Sequence, residues 1–385
     1  MGQRTLLTCC APQLLVAVDF ALLAVAAPSA RDDLGLSDVE VRWLFSAYSL
    51  VFGCLLLPAG RLADRVGPLT LLRCGIALFA CGSAIAAAAP AMSVLVAARV
   101  IAGVGAAAMT PSALALLAGA TREGAERRRA MSIYGAAVAV GFVLGALAGG
   151  ALASAASWRA LLSAVSCVAV AALLMSRGVE DPGRRSRPRE TQRGRASLDA
   201  RLVVACAGGL SVTATGVAAT VLLTQYLQEG LRLTPFQAGA ALAAFGAAFV
   251  PAAHFIRRLD DGQAGWFGLA VQGAAVFALS WCVAADSLAA LLPVVAVFGF
   301  GHVMANAGVA MIALRSVPPE RQGAVVGVLA TAQYLGGALG PLLFGGLAGA
   351  AGDAAGVRTG LAAAGVAAAV GALLLRLEGR IVAAA

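Results

Sequence analysis

The sequence contains no lysine, two histidines, and charged side chains at 12% of its 385 positions. So little charge excludes a water-soluble globule. With 61% hydrophobic residues and a mean hydropathy of +0.89, a chain of this length has too few polar groups to cover its own surface. No segment resembles a Walker phosphate loop, a HExxH metal site or a Ser/His/Asp set, so ATP-driven pumping and hydrolysis have no support and the chain does not read as an enzyme. The eight cysteines, the Cys9-Cys10 pair included, all fall in or beside apolar stretches, without metal-ligand spacing, and read as packing residues. The missing lysine reads as the coding bias of a GC-rich genome, with no mechanistic content.

What the chain does have is apolar length. Runs of roughly 20 residues recur from end to end, each able at about 1.5 Å per residue to cross a hydrocarbon core of roughly 30 Å. The reading is an all-α integral membrane protein of about twelve spans, at 6–28, 43–63, 69–89, 93–119, 130–153, 158–176, 202–227, 235–256, 264–285, 288–314, 323–350 and 357–375. The stretch 6–30 imitates a secretory signal, but it carries Asp19 at mid-depth and an equivalent of it returns later in the chain, so it is expected to remain as the first span.

Charge sets the expected orientation. Arginines crowd alternate connections: Arg61, Arg65 and Arg73 after span two, Arg122 and Arg127 to Arg129 after span four, and eight within 177–201. On the other side Arg31 and Arg42 are outnumbered by Asp32, Asp33, Asp38 and Glu40, and Ala89-Pro90-Ala91 carries no charge. The positive-inside rule places both termini and the central loop in the cytoplasm, in a multi-pass protein of the inner (plasma) membrane. The net charge of +9 therefore needs no nucleic acid to explain it, and anionic lipid is the expected surface partner of the arginine-rich loop.

The chain reads as two related bundles of six helices, 1–176 and 201–385. They are joined by a cytoplasmic linker, 177–200, that contains Pro182, Pro188, Gly183 and Gly194 and lacks apolar periodicity. Leu34-Gly-Leu36-Ser37 leads into span two and Leu231-Arg-Leu233-Thr234 into span eight. Ser37 with Glu40, and Thr234 with Gln237, have capping-box spacing, and Pro235 suits a first helical position. Leu57-Pro58-Ala59 matches Val250-Pro251-Ala252. Gly141-x-x-x-Gly145 with Gly149-Gly150 in span five matches Gly336-x-x-x-Gly340-Pro341 with Gly345-Gly346 in span eleven. A six-plus-six parallel repeat is an architecture in which two bundles rock about a central site.

At these residues the sequence resembles the major facilitator superfamily over nearly its whole length. The turn Gly60-Arg-Leu62-Ala63-Asp64-Arg65-Val-Gly67 resembles that family's G-x-L-A-D-R-x-G-R-K, with Pro68 and Leu69 in place of the last basic pair. Val18-Asp19 through Pro28 resembles the first span of the drug:proton antiporter branch, with Ala21 and Ala24 where Thr and Asn are usual. Arg99-Val-Ile-Ala-Gly103-Val-Gly105 resembles R-x-x-Q-G-x-G, with Ala102 for Gln. The span-five glycines resemble G-x-x-x-G-P-x-x-G-G, with Ala146 for Pro. Ser157-Trp158-Arg159 also resembles that branch. The resemblance implies a secondary transporter working by alternating access, with a proton gradient as energy source and no cofactor. The expected activity is proton-coupled efflux of small amphipathic organic compounds such as drugs, antibiotics or secondary metabolites, by a monomer. Uptake or facilitated passage of a small metabolite, and a non-transporting membrane sensor or assembly partner, are the rival readings.

Few residues are placed to carry mechanism. Asp19 and Arg99 are ionisable groups well inside apolar spans, at depths that differ by roughly 5 Å. An intramembrane charge faces a partner or a cavity, so the two are candidates for proton coupling or, alternatively, for a permanent ion pair joining spans one and four. Gly60, Asp64, Arg65 and Gly67 form the candidate cytoplasmic gate, Asp64 lying near the start of span three. Gly141, Gly145, Gly149, Gly150, Gly340 and Pro341 allow close helix approach, either as ordinary packing or as an antiport-specific element. Thr213, Thr224, Gln225, Tyr226, His302, Asn306, Gln333 and Tyr334 are the candidate cavity groups. His302 reads either as a titrating group or as a buried histidine hydrogen-bonded to a neighbouring helix, and His254 as solvated.

Overall fold

The computed structural model describes residues 2–122, 124–155, 157–179, 200–256, 258–259, 263–285, 288–315, 317, 319–349 and 354–384. The expected linker falls mostly within 180–199, outside these residues. The helices are α1 (Gln3–Leu34), α2 (Asp38–Val66), α3 (Pro68–Ala87), α4 (Met92–Ala120), α5 (Ala125–Ala155), α6 (Trp158–Ser176), α7 (Ala200–Gln225), α8 (Pro235–Ala247), α9 (Phe249–Ile256), α10 (Gln263–Ala284), α11 (Leu288–Leu314), α12 (Pro319–Gly349) and α13 (Ala354–Ala384). Counting α8 and α9 as one crossing, 12 segments among the described residues are long and apolar enough to span a membrane. α1, α2, α5, α12 and α13 overrun the expected spans by a turn or more, and polar ends such as Arg31-Asp-Asp33 and Asp38 to Arg42 remain helical after the apolar run stops.

The helix ends follow local chemistry. At α2, Ser37 Oγ accepts from the Glu40 amide at 3.4 Å while Glu40 Oε2 accepts from the Ser37 amide at 2.8 Å. At α8, Thr234 Oγ1 accepts from the Gln237 amide at 3.3 Å and Gln237 Oε1 from the Thr234 amide at 2.9 Å, with Pro235 at the first helical position. The starts of α2 and α8 are thus built alike, as the sequence repeat requires. Gly35 closes α1 at φ +63° and Gly67 turns α2 into α3 at φ +94°, conformations that a side chain resists. The repeat is unequal at its prolines. Pro58 lies inside an unbroken α2, whereas Pro251 cannot donate to the Ala247 carbonyl and the helix breaks between α8 and α9 at Ala248. Pro341 leaves α12 continuous.

Within the first half, α1 packs on α5 and α6, and α3 on α4; in the second, α7 packs on α12 and α13, and α10 on α11 and α13. Backbones meet where glycine leaves room. A methyl placed on Gly141 would stand 2.8 Å from the Leu14 carbonyl, and one on Gly145 2.5 Å from that of Val18. Gly336 and Gly340 meet the Leu210 and Ala214 carbonyls in the same way, so the matching ladders of α5 and α12 perform matching packing. Two seams join the halves, α2 against α12 and α5 against α8. At the second, a methyl on Gly150 would stand 2.6 Å from the Pro235 carbonyl, and Gly239 lies on the carbonyl of Ala146, the residue that stands where the resembled motif has proline.

Cysteine packing departs from expectation. Cys9, Cys10 and Cys282 are buried, but Cys54, Cys74, Cys81 and Cys167 are exposed on the outside of the bundle, a surface that lipid makes apolar and that tolerates small thiols without burial.

Candidate functional site: a cavity between the two halves

The halves diverge at one end and enclose a cavity of about 2260 Å³. Its mouth is formed by Gly60, Arg61, Asp64 and Arg65 at the end of α2 and by Gln322 and Gly323 near the start of α12, so it opens on the arginine-rich side. Asp64 and Arg65 have no hydrogen-bond or ion-pair partner among the described residues. Gly67 supplies the turn behind them and is not part of the wall.

The opposite end is shut. Arg31 at the end of α1 lies 2.9 Å from Glu229, on the π-helical turn Tyr226–Gly230 that extends α7, and 2.9 Å from Asp38. Gln228 Nε2 donates to the Val25 carbonyl at 2.9 Å, Ser46 Oγ to that of Ala338 at 2.6 Å, and the Phe236 amide to Ser154 Oγ at 3.1 Å. The Arg42 side chain lies against Gly345 and Gly349 of α12, a contact across the halves. Ser157-Trp158-Arg159 works on the same side within the first half. Trp158 Nε1 and Arg159 both donate to Asp33, and Arg159 Nη2 donates to the Ala89 carbonyl at 3.0 Å, tying α6 to the end of α1 and the α3–α4 turn.

Of the expected cavity groups, Thr213, His302, Asn306, Gln333 and Tyr334 line the wall, whereas Thr224, Gln225 and Tyr226 do not. Thr213, Gly216, Val217 and Thr220 form one stripe of α7 facing the void. Thr224 continues that stripe a turn past the last lining residue, Thr220, and donates to the Thr220 carbonyl at 2.7 Å. Tyr226 points away and donates to the Val283 carbonyl of α10 at 3.1 Å. On the wall, Gln333 Nε2 donates to Asn306 Oδ1 at 2.9 Å, and Thr213 Oγ1 donates to the backbone carbonyl of Gln333. His302 sits between Phe245 and Phe298, its ring over Gly216, where a methyl would be 2.7 Å from Nδ1. That nitrogen is buried without a hydrogen-bond partner, so the expected bond to a neighbouring helix is not made there. His254 is exposed, as expected.

Aromatic residues that sequence reasoning passed over supply much of the wall. Phe20, Phe142, Phe245 and Phe249 run across the halves with ring centroids 4.9 to 6.3 Å apart. Tyr334 stacks on Phe52 of the other half at 3.8 Å. In a chain this apolar, nothing in sequence separates a cavity phenylalanine from one facing lipid.

Asp19 and Arg99 meet. Arg99 Nη1 donates to both carboxylate oxygens, at 2.8 and 3.0 Å, and the side chains are 0% and 3% exposed. Arg99 Nε reaches the Leu44 carbonyl at 3.4 Å, so the pair joins α1, α2 and α4. Neither residue lines the cavity. Tyr48 does, and the Arg99 guanidinium rests on its ring at 4.4 Å from the centroid. The tyrosine therefore stands between the ion pair and the void.

Two six-helix bundles packed side by side across a bilayer, with a polar-spotted cavity between them open at one end, define a membrane protein of the carrier type. Residues 11–341 match the model of the Major Facilitator Superfamily, and the chain belongs to that family. A solved structure titled as a bacterial homolog of the human lysosomal transporter Spinster, inward-facing and occupied, superposes with a TM-score of 0.82 over 97% of this chain and 96% of the other at 18% identity. Among curated proteins, the puromycin resistance protein pur8 of Streptomyces alboniger is 41% identical over 52% of this chain and 38% of its own length. The cephamycin export protein CmcT of Amycolatopsis lactamdurans is 34% identical over 56% and 43%. The multidrug efflux pump LfrA of Mycolicibacterium smegmatis is 40% identical over 42% and 32%. The chain thus spans less than half the length of these relatives.

Proposed function

We propose that the protein is a proton-coupled exporter of small amphipathic organic molecules that works by alternating access. The observation that carries this reading is the cavity itself, aromatic and sparsely polar, opening only toward the arginine-rich end that the positive-inside rule assigns to the cytoplasm. A molecule collected there leaves the cell when the halves rock the other way. The names of the relatives as resistance and export proteins support the same direction.

Asp19 is the proposed proton carrier and Arg99 its partner, donating to both carboxylate oxygens. With the carboxylate sealed behind Tyr48, proton exchange belongs to the opposite conformation, in which separation of the outer contacts gives water access to α1. Asp64 and Arg65, without a partner among the described residues at the open mouth, acquire partners when that mouth closes. The protein works as a monomer, its termini cytoplasmic.

The test is transport into vesicles of reversed orientation, energised by a pH gradient that is then collapsed by an uncoupler. Gradient-dependent accumulation that the uncoupler abolishes supports export. Exchange at the same rate without the gradient makes the protein a facilitator, and ligand binding without flux makes it a sensor.

A further inference from the structure

Among the described residues the cavity has no acid in its depth. Among the described residues its charged lining is Arg61, Asp64 and Arg65, all at the mouth, where the two arginines outnumber the one carboxylate. The acid nearest the middle of the membrane, Asp19, is off the wall and already held through both oxygens by Arg99. His302 brings no negative charge in either protonation state. The hydrogen-bonding groups that remain are neutral. Tyr48, 4% exposed, has a hydroxyl without a partner, as does Thr110, while the one described bond of the Gln333 side chain is donated through Nε2, leaving its carbonyl oxygen to accept.

From this distribution we propose that the cavity selects aromatic-bearing molecules that carry no positive charge and rejects organic cations. The proposal rests on the reading of this cavity as the substrate site. A cation moved into it leaves bulk water for a wall with no counter-ion, and must first pass a mouth of net positive charge. Ring faces offer a cation some attraction, which is the weaker effect wherever a charge is stripped of water without a carboxylate to meet it. A neutral ring pays no such cost, stacks among Phe20, Phe142 and Phe245, and exchanges hydrogen bonds with the hydroxyls and amides present.

The experiment compares equilibrium binding of size-matched pairs to the full chain in lipid nanodiscs, with no pH gradient. Suitable probes are acridone against 10-methylacridinium, and an aryl amide against the corresponding aryl trimethylammonium. The neutral member is expected to bind at least about tenfold more tightly in each pair. Asn306→Asp, which places a carboxylate on the wall in nearly the same volume, is expected to raise cation affinity by about tenfold or more. Gln333→Glu is the alternative site should the first variant fold poorly. Cations bound as tightly as their neutral partners by the unaltered chain, or no binding of either member of any pair, overturns the proposal. Because binding is read without a gradient, loss of proton coupling would refute the exporter reading and leave this preference standing.

Discussion

Arg99 rests its guanidinium on the ring of Tyr48, 4.4 Å from the centroid, so the residue that neutralises Asp19 also touches the wall of the cavity. Movement of Tyr48 on ligand binding is therefore felt at the ion pair without any contact between ligand and carboxylate. This geometry separates a coupling role from a structural one.

If Asp19 carries the proton, Asn at this position retains ligand binding and loses accumulation driven by a pH gradient, because an amide has no proton to exchange. A permanent structural pair predicts another pattern. Each single change then costs on the order of 3–5 kcal/mol by stranding a buried charge, and the double substitution recovers stability. Thermal unfolding of the purified variants beside gradient-driven uptake in liposomes distinguishes the two, and wild-type accumulation by Asp19→Asn removes the residue from the mechanism.

The contact of Arg31 with Glu229 is half-exposed and links the halves where they are shut. Glu229→Gln is expected to shift the population toward the conformation open on that side by about 0.2–1 kcal/mol, up to roughly fivefold. Distance measurements between spin labels on α1 and α7 report the shift. Exchanging the charges, Arg31→Glu with Glu229→Arg, restores part of it, although Asp38 is then left beside a new carboxylate.

Asp64 has no partner among the described residues in this conformation, so Asp64→Asn should leave ligand affinity and thermal stability near those of the unaltered protein. Turnover is expected to fall and probe accessibility at the mouth to rise, because the closed mouth loses its contact. Equal turnover in the two proteins would end the gating assignment.

Two glycines of similar sequence context are expected to behave oppositely. Gly145→Ala drives a methyl to 2.5 Å from the Val18 carbonyl and should lower stability by about 1–3 kcal/mol. Gly346 has nothing within 4 Å of its methyl position, and alanine there should be neutral or stabilising by up to about 1 kcal/mol. Melting temperatures in detergent decide both.

Local features of this fold were legible in the chain. Ser37 with Glu40, Thr234 with Gln237 and the glycine ladders act within a turn or along one helical face, and their spacing alone specifies them. Asp19 and Arg99 were legible as partners because charge inside an apolar span is rare and depth follows from residue count. Thr224 shows where such reasoning ends. It lies on the correct face of α7, but the level at which the void stops is set by Gln228, Glu229 and Arg31 meeting across the halves. Tyr226 was misplaced for a second reason: two residues after Thr224 it leaves α7 on the opposite face, toward Val283 of α10. The lining phenylalanines carried no signal, since apolar residues face lipid, core and cavity alike.

The α5–α8 seam runs along the shut half of α5, from Ser154 at Phe236 to Phe142 at Phe245, and its tightest backbone contacts, Gly150 on Pro235 and Ala146 on Gly239, lie toward that end. Seen as a lever, α5 has a short arm on the shut side and a long one toward the mouth, roughly 30 Å from Gly150 to Arg129 at the helical rise. A rigid rotation of about 10° at the seam carries the far end through about 5 Å, one turn of helix. Backbone packed on backbone is a stiff fulcrum, and small displacements on the shut side become an opening wide enough for a molecule on the other.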